Sequence, residues 1–164
     1  MIAVADDADT IIDGIGPEGA ALLAALHGRC FDEPWNAEAF ATLLALPTVR
    51  VLVAQDAGPV FEPVGFLMAQ RAAQQAEILT MGVLPAYRRT GIAGRMLAKA
   101  CDELAAHGAH DVFLEVDETN RAGLRLYRAA GFETVGRRVG YYQNLAGSRT
   151  DAISLCRRLA GDDG

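Results

Sequence analysis

Strand-like and helix-like patterns of apolar residues follow one another in the middle of the chain. Residues 77–84 form a largely apolar, partly β-branched run that ends at a proline, which predicts a strand. Apolar side chains then recur at helical spacing from Ile92 to Leu104. Gly108 follows where the end of a helix favours a left-handed residue. This stretch is therefore predicted to be a strand, a short loop over residues 87–94 and a helix.

Similar patterns divide the rest of the chain into strands and helices. Before the central stretch they predict a strand at 10–15, a helix at 17–29, a helix from the cap Asn36 to about 46, and strands at 49–54 and 64–71. After it they predict a strand at 110–116, a helix from the cap Asn120 to 131, and strands at 132–142 and 151–159. The predicted order is β-α-α-β-β-β-α-β-α-β-β in one α/β domain over residues 1–164, with flexible tails at 1–8 and 160–164.

Composition narrows the class of protein. The chain has 164 residues, 51% of them hydrophobic, which suits one domain with a substantial core. A net charge of −6 argues against nucleic acid as the main partner. The three cysteines form no C-x-x-C pair, and reduced thiols of this kind indicate a cytoplasmic protein. No stretch is long enough to cross a membrane, and the three histidines have no metal-ligand spacing, so neither a membrane nor a metal is expected.

The loop at residues 87–94 combines cations with glycines at the start of a helix. Free N–H groups of a first helical turn and the helix dipole favour an anion there. Gly91 and Gly94 allow close backbone approach, and Arg88 and Arg89 add positive charge. Neither G-x-G-x-x-G nor G-x-x-x-x-G-K-[ST] occurs in the chain. A phosphate-binding loop and an ordinary strand–helix turn with surface arginines both fit this pattern.

The same loop resembles a motif of a known enzyme family. Arg88-x-x-Gly91-x-Ala93 is similar to the [QR]-x-x-G-x-[GA] pyrophosphate loop of the GNAT superfamily of N-acetyltransferases, which use acetyl-CoA. The order of elements also resembles the GNAT fold, a single mixed, mostly antiparallel central sheet flanked by helices. The resemblance implies that coenzyme A contacts the following residues: Met81, Gly82, Val83, Arg88, Arg89, Thr90, Gly91, Ile92, Ala93, Gly94, Asn120 and Tyr127.

Further motifs resemble one branch of that superfamily, the bacterial ribosomal-protein-alanine N-acetyltransferases. Leu114-Glu115-Val116, Asn120, Leu126-Tyr127 and Gly131-Phe132 match its L-E-V-x-x-x-N…L-Y…G-F run. The segments Phe31-x-x-Pro34-Trp35, Arg137-Arg138 with Tyr141-Tyr142, and Asp151-Ala152 resemble three more of its motifs. Gly140 and Gln143 depart from the pattern beside the tyrosines, on the side where the acceptor is expected.

Acetyl transfer to an amine needs a neutral amine, a donor to the carbonyl oxygen and a stabilised thiolate. An α-amino group has a pKa of about 7.7–8.0, so a general base is useful at neutral pH. The resemblance places this base at Glu115 and a general acid at Tyr127. Glu77 is a rival base, because histone-acetylating members place their glutamate at that point. A solvated glutamate at either position and a packing role for Tyr127 are the alternatives.

These residues together predict an acetyl-CoA-dependent N-acetyltransferase that transfers acetyl directly within a ternary complex. The expected acceptor is the N-terminal α-amino group of a protein, with a ribosomal protein implied by the resemblance, and the acceptor is expected near Trp35, Glu77 and Tyr141. One alternative is an acetyltransferase for amino acids or other small amines. Another is a non-catalytic regulatory module that binds coenzyme A. The chain is expected to be a monomer or homodimer, with no nucleic acid, membrane or metal partner.

Overall fold

The computed structural model describes residues 10–159, and the tails predicted at 1–8 and 160–164 lie outside the described residues. The strands are β1 (Thr10–Gly14), β2 (Val49–Asp56), β3 (Glu62–Ala72), β4 (Gln75–Val83), β5 (Asp111–Asp117), β6 (Glu133–Gln143) and β7 (Arg149–Arg158). The helices are α1 (Ala20–Cys30), α2 (Ala37–Leu44), α3 (Ile92–Ala106) and α4 (Arg121–Ala129). Short 3-10 helices occupy Pro17–Gly19 and Pro85–Tyr87. The predicted order of strands and helices is confirmed.

The strands form a seven-stranded sheet in the order β1-β2-β3-β4-β5-β7-β6. The pairs β1–β2, β2–β3, β5–β7 and β6–β7 are antiparallel. Strands β4 and β5 are parallel, and their pairing joins Gln75–Glu77 to Asp111–Phe113. A crossover through α3 connects these two strands, as parallel neighbours require. The sheet is therefore mixed and mostly antiparallel, as predicted.

The described residues fall into two compact units. One contains residues 10–70 together with Leu79–Ala100, and the other contains Arg71–Ile78 and residues 101–159. The first unit holds the loop at residues 87–94, and the second holds β5, α4, β6 and β7. The organisation of residues 1–164 as one acetyltransferase domain stays a prediction.

The first unit has a core of strand and helix residues. Residues 51–54 of β2 and 64–69 of β3 are buried without interruption, because both faces of these strands are covered. Helix α2 starts at the predicted cap, where the Asn36 side chain accepts a hydrogen bond from the Ala39 N–H at 2.9 Å. The fully buried side chains of α1–α3 in this unit include Leu23, Phe40, Met96 and Leu97.

Alternation of buried and half-buried residues on β5 organises the second unit. Val112, Leu114 and Val116 are buried, and the residues between them are half-buried. Successive side chains of a strand point to opposite faces, so Glu115 lies on the face opposite these three apolar residues. This places its carboxylate outside the core of the unit.

Candidate active site

The predicted pyrophosphate loop lies between the 3-10 helix Pro85–Tyr87 and the first turn of α3. Two residues in it have a positive φ, 63° at Arg89 and 85° at Gly91. The helical hydrogen bonds begin here, since the Arg95 N–H donates to the Gly91 carbonyl at 3.1 Å. A glycine adopts such a φ without the steric cost that a Cβ brings. The backbone conformation at residue 91 therefore favours glycine there.

Three side-chain hydrogen bonds fix the same loop from its N-terminal side. Nε of Arg88 donates to the Val83 carbonyl at 3.0 Å, and the Thr90 hydroxyl donates to the Tyr87 carbonyl at 2.6 Å. The Tyr87 hydroxyl donates to the Asp56 carboxylate at 3.1 Å. Burial and, after it, this hydrogen bond raise the pKa of Tyr87, so its hydroxyl stays protonated at neutral pH. The loop is thus preorganised by its own chain.

The arginines at the loop differ in what they contact. Arg88 holds the carbonyl at the end of β4, and Nη2 of Arg95 donates to the Thr10 carbonyl at 3.0 Å. Arg89 has an exposed side chain. Both Arg88 and Arg95 therefore position backbone, while their charges remain next to the start of α3.

The end of β4 packs closely against α1 and β3. Met81 and Gly82 are half-buried and Val83 is buried. A Cβ added at Gly82 would lie 2.9 Å from Cε1 of Phe66, which is closer than real Cβ atoms come, and 3.1 Å from Cβ of Cys30, which is tighter than most such contacts. The glycine is therefore required by packing within this unit. The predicted contacts of these three residues with coenzyme A stay a prediction.

His27 is a buried residue that none of the sequence motifs includes. Its side chain is 3% exposed, and its Nδ1 accepts a hydrogen bond from the Trp35 N–H at 3.1 Å. Its Nε2 lies 3.2 Å from the Thr80 hydroxyl. The ring stacks on Phe31 and Trp35, with centroids 4.3 and 5.2 Å away. The spacing from Leu23, which is also buried, places His27 on the core face of α1, and this periodicity was the available signal.

Glu115 is part of a charged and aromatic cluster in the second unit. Its carboxylate lies 2.8 Å from Nε of Arg138, and its side chain is 22% exposed. The Arg138 guanidinium lies 5.2 Å from the centroid of the Tyr141 ring, which is an arrangement for a cation–π contact. Tyr141 is exposed and packs edge-on against Tyr142. Burial and, after it, the negative charge of Glu115 raise the pKa of Tyr142 to about 12.

A bulge in β6 presents these tyrosines. Strands β6 and β7 pair at Arg138 and again at Tyr142, so the three residues between them oppose one residue of β7, Asp151. The Asp151 carboxylate accepts hydrogen bonds from the Gly140 N–H at 2.9 Å and from the Arg137 guanidinium at 2.6 Å. These two hydrogen bonds lower the pKa of Asp151. Gly140 has a φ of 62°, a backbone conformation that favours glycine at this departure from the resembled motif.

Tyr127 lies on α4 and packs edge-on against Phe132, with ring centroids 6.0 Å apart. Burial and, after it, the charge of Tyr142 raise the pKa of Tyr127 to about 12. The hydroxyl is therefore a weak acid that stays protonated at neutral pH. Asn120 caps the same helix, because its side chain accepts a hydrogen bond from the Gly123 N–H at 2.9 Å. Both residues keep packing or capping roles, and their predicted coenzyme contacts stay predictions.

Glu77 has an exposed side chain on β4, where it is in register with Phe113 of β5. Such exposure is typical of a solvated carboxylate. The role of Glu77 as a rival base stays a prediction. Among residues 10–159 no group of three histidine, cysteine or acidic side chains could hold a metal ion. No helix in that range has the length and apolar character needed to cross a membrane.

Known proteins resemble this chain over most of its length. The sequence profile of the acetyltransferase (GNAT) family matches residues 21–132. The chain is 35% identical to N-alpha-acetyltransferase RimI of Mycobacterium tuberculosis over 161 residues, which cover 96% of this chain and 98% of that protein. The crystal structure of the ribosomal-protein-S18-alanine N-acetyltransferase from Escherichia coli has a TM-score of 0.84 and 25% identity, with 94% and 98% of the two chains covered.

A plant protein has a similar fold. The structure of Arabidopsis thaliana NAA60 in complex with acetyl-CoA has a TM-score of 0.80 and 22% identity, and covers 93% of this chain and 99% of that one.

The mixed seven-stranded sheet and the loop at the start of α3 define an N-acetyltransferase fold. The chain belongs to the acetyltransferase (GNAT) family. It is an acetyl-CoA-dependent N-acetyltransferase, with acetyl-CoA as co-substrate, as the sequence predicted.

Proposed function

We propose that the enzyme acetylates the N-terminal α-amino group of a protein, and that the acceptor is a ribosomal protein. The observation that carries the proposal is the near full-length similarity to a mycobacterial N-alpha-acetyltransferase. The similarity to an S18-alanine N-acetyltransferase supports the choice of a ribosomal acceptor. We assign the enzyme to the cytoplasm, which suits its three free thiols.

Glu115 acts as the general base in this proposal. The acceptor is mostly an ammonium at neutral pH and must lose a proton before it attacks the thioester. The Glu115 carboxylate takes that proton, directly or through a water molecule. The ion pair with Arg138 at 2.8 Å holds the carboxylate in one orientation, and the 22% exposure of the Glu115 side chain leaves it accessible.

Tyr127 stabilises the leaving group. As the N–C bond forms, the C–S bond breaks, the electron pair passes to sulfur, and the nitrogen releases its remaining excess proton to solvent. A tyrosine with a pKa of about 12 is a far weaker acid than a thiol near pKa ~8.5, so complete proton transfer from Tyr127 is uphill. Its hydroxyl therefore acts by donating a hydrogen bond to the sulfur, and the thiolate is finally protonated from solvent.

The backbone of residues 88–94 binds the pyrophosphate of acetyl-CoA in the proposal. Arg89 and Gly91 have positive φ values immediately before α3, and the first N–H groups of a helix, which have no helical acceptor, are donors for phosphate oxygens. Met81, Gly82 and Val83 supply backbone groups for the pantetheine amides, and one N–H serves as donor to the oxyanion. Asn120 contacts the coenzyme from the cap of α4.

We assign Trp35 of the first unit, and Tyr141 and Glu77 of the second unit, to acceptor binding. Tyr141 is 53% exposed beside Arg138, so it can pack against a peptide without losing buried contacts of its own. The exposed Glu77 carboxylate attracts an ammonium group. Trp35 is held by His27 in the first unit.

A panel of acceptors tests the proposal. Acetyl-CoA is incubated with a short peptide that begins with alanine, with the same peptide blocked at its N-terminus but carrying a lysine, with a free amino acid and with a polyamine. Acetylation of the unblocked peptide alone is expected, and Glu115→Gln should suppress it. Efficient acetylation of a small amine with an inert peptide would instead establish the small-molecule activity. Mass spectrometry of protein N-termini in a deletion strain then identifies the natural acceptor.

A further inference from the structure

We infer that His27, as its neutral Nε2–H tautomer, is the positioning residue that holds the segment Phe31–Trp35 in its acceptor-binding conformation. The inference rests on the proposed role of Trp35 on the acceptor side. It assigns a task to a buried histidine that the acetyl-transfer chemistry itself does not use.

Hydrogen bonding determines the tautomer of the His27 ring. The backbone N–H of Trp35 can only donate, so Nδ1, which lies 3.1 Å away, must accept. In a neutral ring the proton then resides on Nε2, which donates to the Thr80 hydroxyl at 3.2 Å. Both ring nitrogens are satisfied in this one state. The ring therefore joins the backbone at Trp35 to β4, one residue before Met81.

Aromatic contacts make the same ring the centre of a cluster. Phe31 and Trp35, which begin and end the segment, both stack on it. Phe40 of α2 meets its edge at 5.4 Å, and Phe66 of β3 lies 5.6 Å away. Between the two stacked residues the side chains of 32–34 are exposed. Phe31 also meets Phe66 and Trp35 also meets Phe40, with centroids 6.4 and 5.6 Å apart. The imidazole is the ring that contacts all four of them and also accepts a hydrogen bond from the backbone of the segment.

The surroundings of His27 favour the neutral ring. The groups that contact it from the segment, α2, β3 and β4 are aromatic rings and the Thr80 hydroxyl, none of them charged. Within this unit, the other ionisable residues of α1, the segment, α2, β3 and β4 are the exposed Arg29, Asp32, Glu33, Glu38 and Glu62 and the half-buried Cys30. The Cys30 thiol is neutral because burial raises its pKa. Burial lowers the pKa of His27 below its usual value of 6.5.

Protonation has a definite consequence in this geometry. As the pH falls through the lowered pKa, Nδ1 gains a proton and can no longer accept from Trp35. The Trp35 N–H then loses its partner and a charge is buried away from solvent, so the segment is released. Acceptor binding should weaken on the acid side, while the loop at residues 88–94 keeps its contacts.

The single tryptophan of the chain provides a readout that needs no substrate. Trp35 is the only indole in the protein, and an imidazolium stacked on an indole quenches its emission. Emission of the wild type is recorded from pH 8 to pH 4.5, and one step is expected below pH 6.5. The step should be absent in His27→Asn and retained in His110→Asn, which replaces an exposed histidine of the other unit. A step of the same size in His27→Asn, or none in the wild type, overturns the inference.

Substitution of His27 by asparagine or by glutamine distinguishes the roles of the two ring nitrogens. Asparagine places its carbonyl oxygen near the position of Nδ1 and can accept from Trp35, whereas glutamine places its amide nitrogen near Nε2 and can donate to Thr80. His27→Gln should raise the KM for the acceptor roughly threefold to tenfold, the effect of one lost hydrogen bond, with the KM for acetyl-CoA unchanged. The acceptor KM of His27→Asn should stay close to the wild-type value, because asparagine still accepts the hydrogen bond from Trp35. Equal effects of both variants on both KM values would indicate a general packing defect and reject the positioning role.

The two measurements also separate this inference from the proposed function. If the natural acceptor is a small amine, the emission step of Trp35 is still expected, and the KM comparison is repeated with that amine. If the step and the KM difference are both absent while N-terminal acetylation persists, the proposed function stands and the role of His27 is rejected.

Discussion

The carboxylate of Glu115 on β5 lies 2.8 Å from Nε of Arg138 on β6, although β7 separates these two strands in the sheet. Glu115 is in register with Ser154 of β7, and Gly136 of β6 is in register with the same residue. Arg138 stands two residues further along β6, so its long side chain reaches diagonally across β7 to the carboxylate. The proposed base is therefore held by a residue distant from it in sequence.

Replacement of Glu115 by glutamine should cost most of the rate at neutral pH and less as the pH rises. Glutamine keeps the shape but accepts no proton, so the reaction depends on amine that is already neutral. For an α-amine near pKa ~8 this fraction rises roughly tenfold from pH 7 to pH 9. The measurement is kcat/KM against pH with a short alanine peptide. Parallel profiles with similar rates would exclude Glu115 as the base, and Glu77→Gln tests its rival in the same assay.

Arg138→Gln should lower kcat/KM several-fold with little change in Tm. The Arg138 side chain is 59% exposed, and such surface ion pairs contribute only about 0–1 kcal/mol to stability. The loss should come from the freed orientation of Glu115. Arg137→Gln is the matched control, because Arg137 pairs with Glu118 and Asp151 instead. Equal losses in the two variants would show that general charge on β6, and not the pair with Glu115, matters.

Tyr127→Phe should reduce kcat by roughly tenfold or more and leave acetyl-CoA binding almost unchanged. The substitution removes the hydroxyl and keeps the ring against Phe132. Because the pKa of Tyr127 is about 12, its hydroxyl is not expected to produce an alkaline decline of the wild-type rate below pH ~10. Single-turnover rates and coenzyme titration measure the two effects. An unchanged kcat would leave Tyr127 with its packing role alone.

Gly91→Val should abolish stabilisation of the protein by acetyl-CoA. Valine is strained at a φ of 85° and would place a branched side chain in the proposed phosphate position. In the wild type, ligand at 100 times Kd should raise the free energy of unfolding by about 2.7 kcal/mol, which a thermal shift detects. Gly108→Val is the control, since Gly108 has a φ of 93° with no neighbouring atom within 4 Å of an added Cβ. It should lower Tm but keep the ligand-induced shift.

Gly140→Ala should destabilise the protein by about 1 kcal/mol, because alanine is disfavoured at a φ of 62°. Space is available, as the nearest atom to an added Cβ is 3.7 Å away, so the strain is confined to the backbone. Gly147→Ala imposes a similar strain at a φ of 84° in the β6–β7 turn. Both variants should lower Tm alike, but only Gly140→Ala should raise the acceptor KM through the Tyr141 bulge. Identical acceptor KM values in the two variants would show that the bulge has no role in acceptor binding.

Local patterns were sufficient for most of the fold. The cap at Asn36 and the strand predicted at 110–116 depend on residues close in sequence, and the structure contains both, the latter as β5. Strands β2 and β3 extend beyond their predicted ends because Asp56 pairs with Glu62, and pairing between polar residues leaves no hydrophobic signal.

The arrangement of the site needed tertiary information. The hydrogen bond from Trp35 to His27 and the pair between Glu115 and Arg138 join residues whose proximity follows only from helix packing and strand order. The raised pKa of Tyr127 depends on its burial, which the motif alone does not specify. The family motifs indicated which residues matter, and the structure adds what each of them contacts.

The hydrogen bond between Tyr87 and Asp56 makes the phosphate loop accessible to protein engineering from outside the proposed site. Asp56 ends the strand that leads into the β2–β3 turn, and that turn contains no residue proposed to touch either substrate. Redesigning the turn would shift the anchor of the phosphate loop, so donor affinity could be tuned without altering the groups that react. Substitutions in the β2–β3 hairpin would thus change how long the enzyme retains its coenzyme.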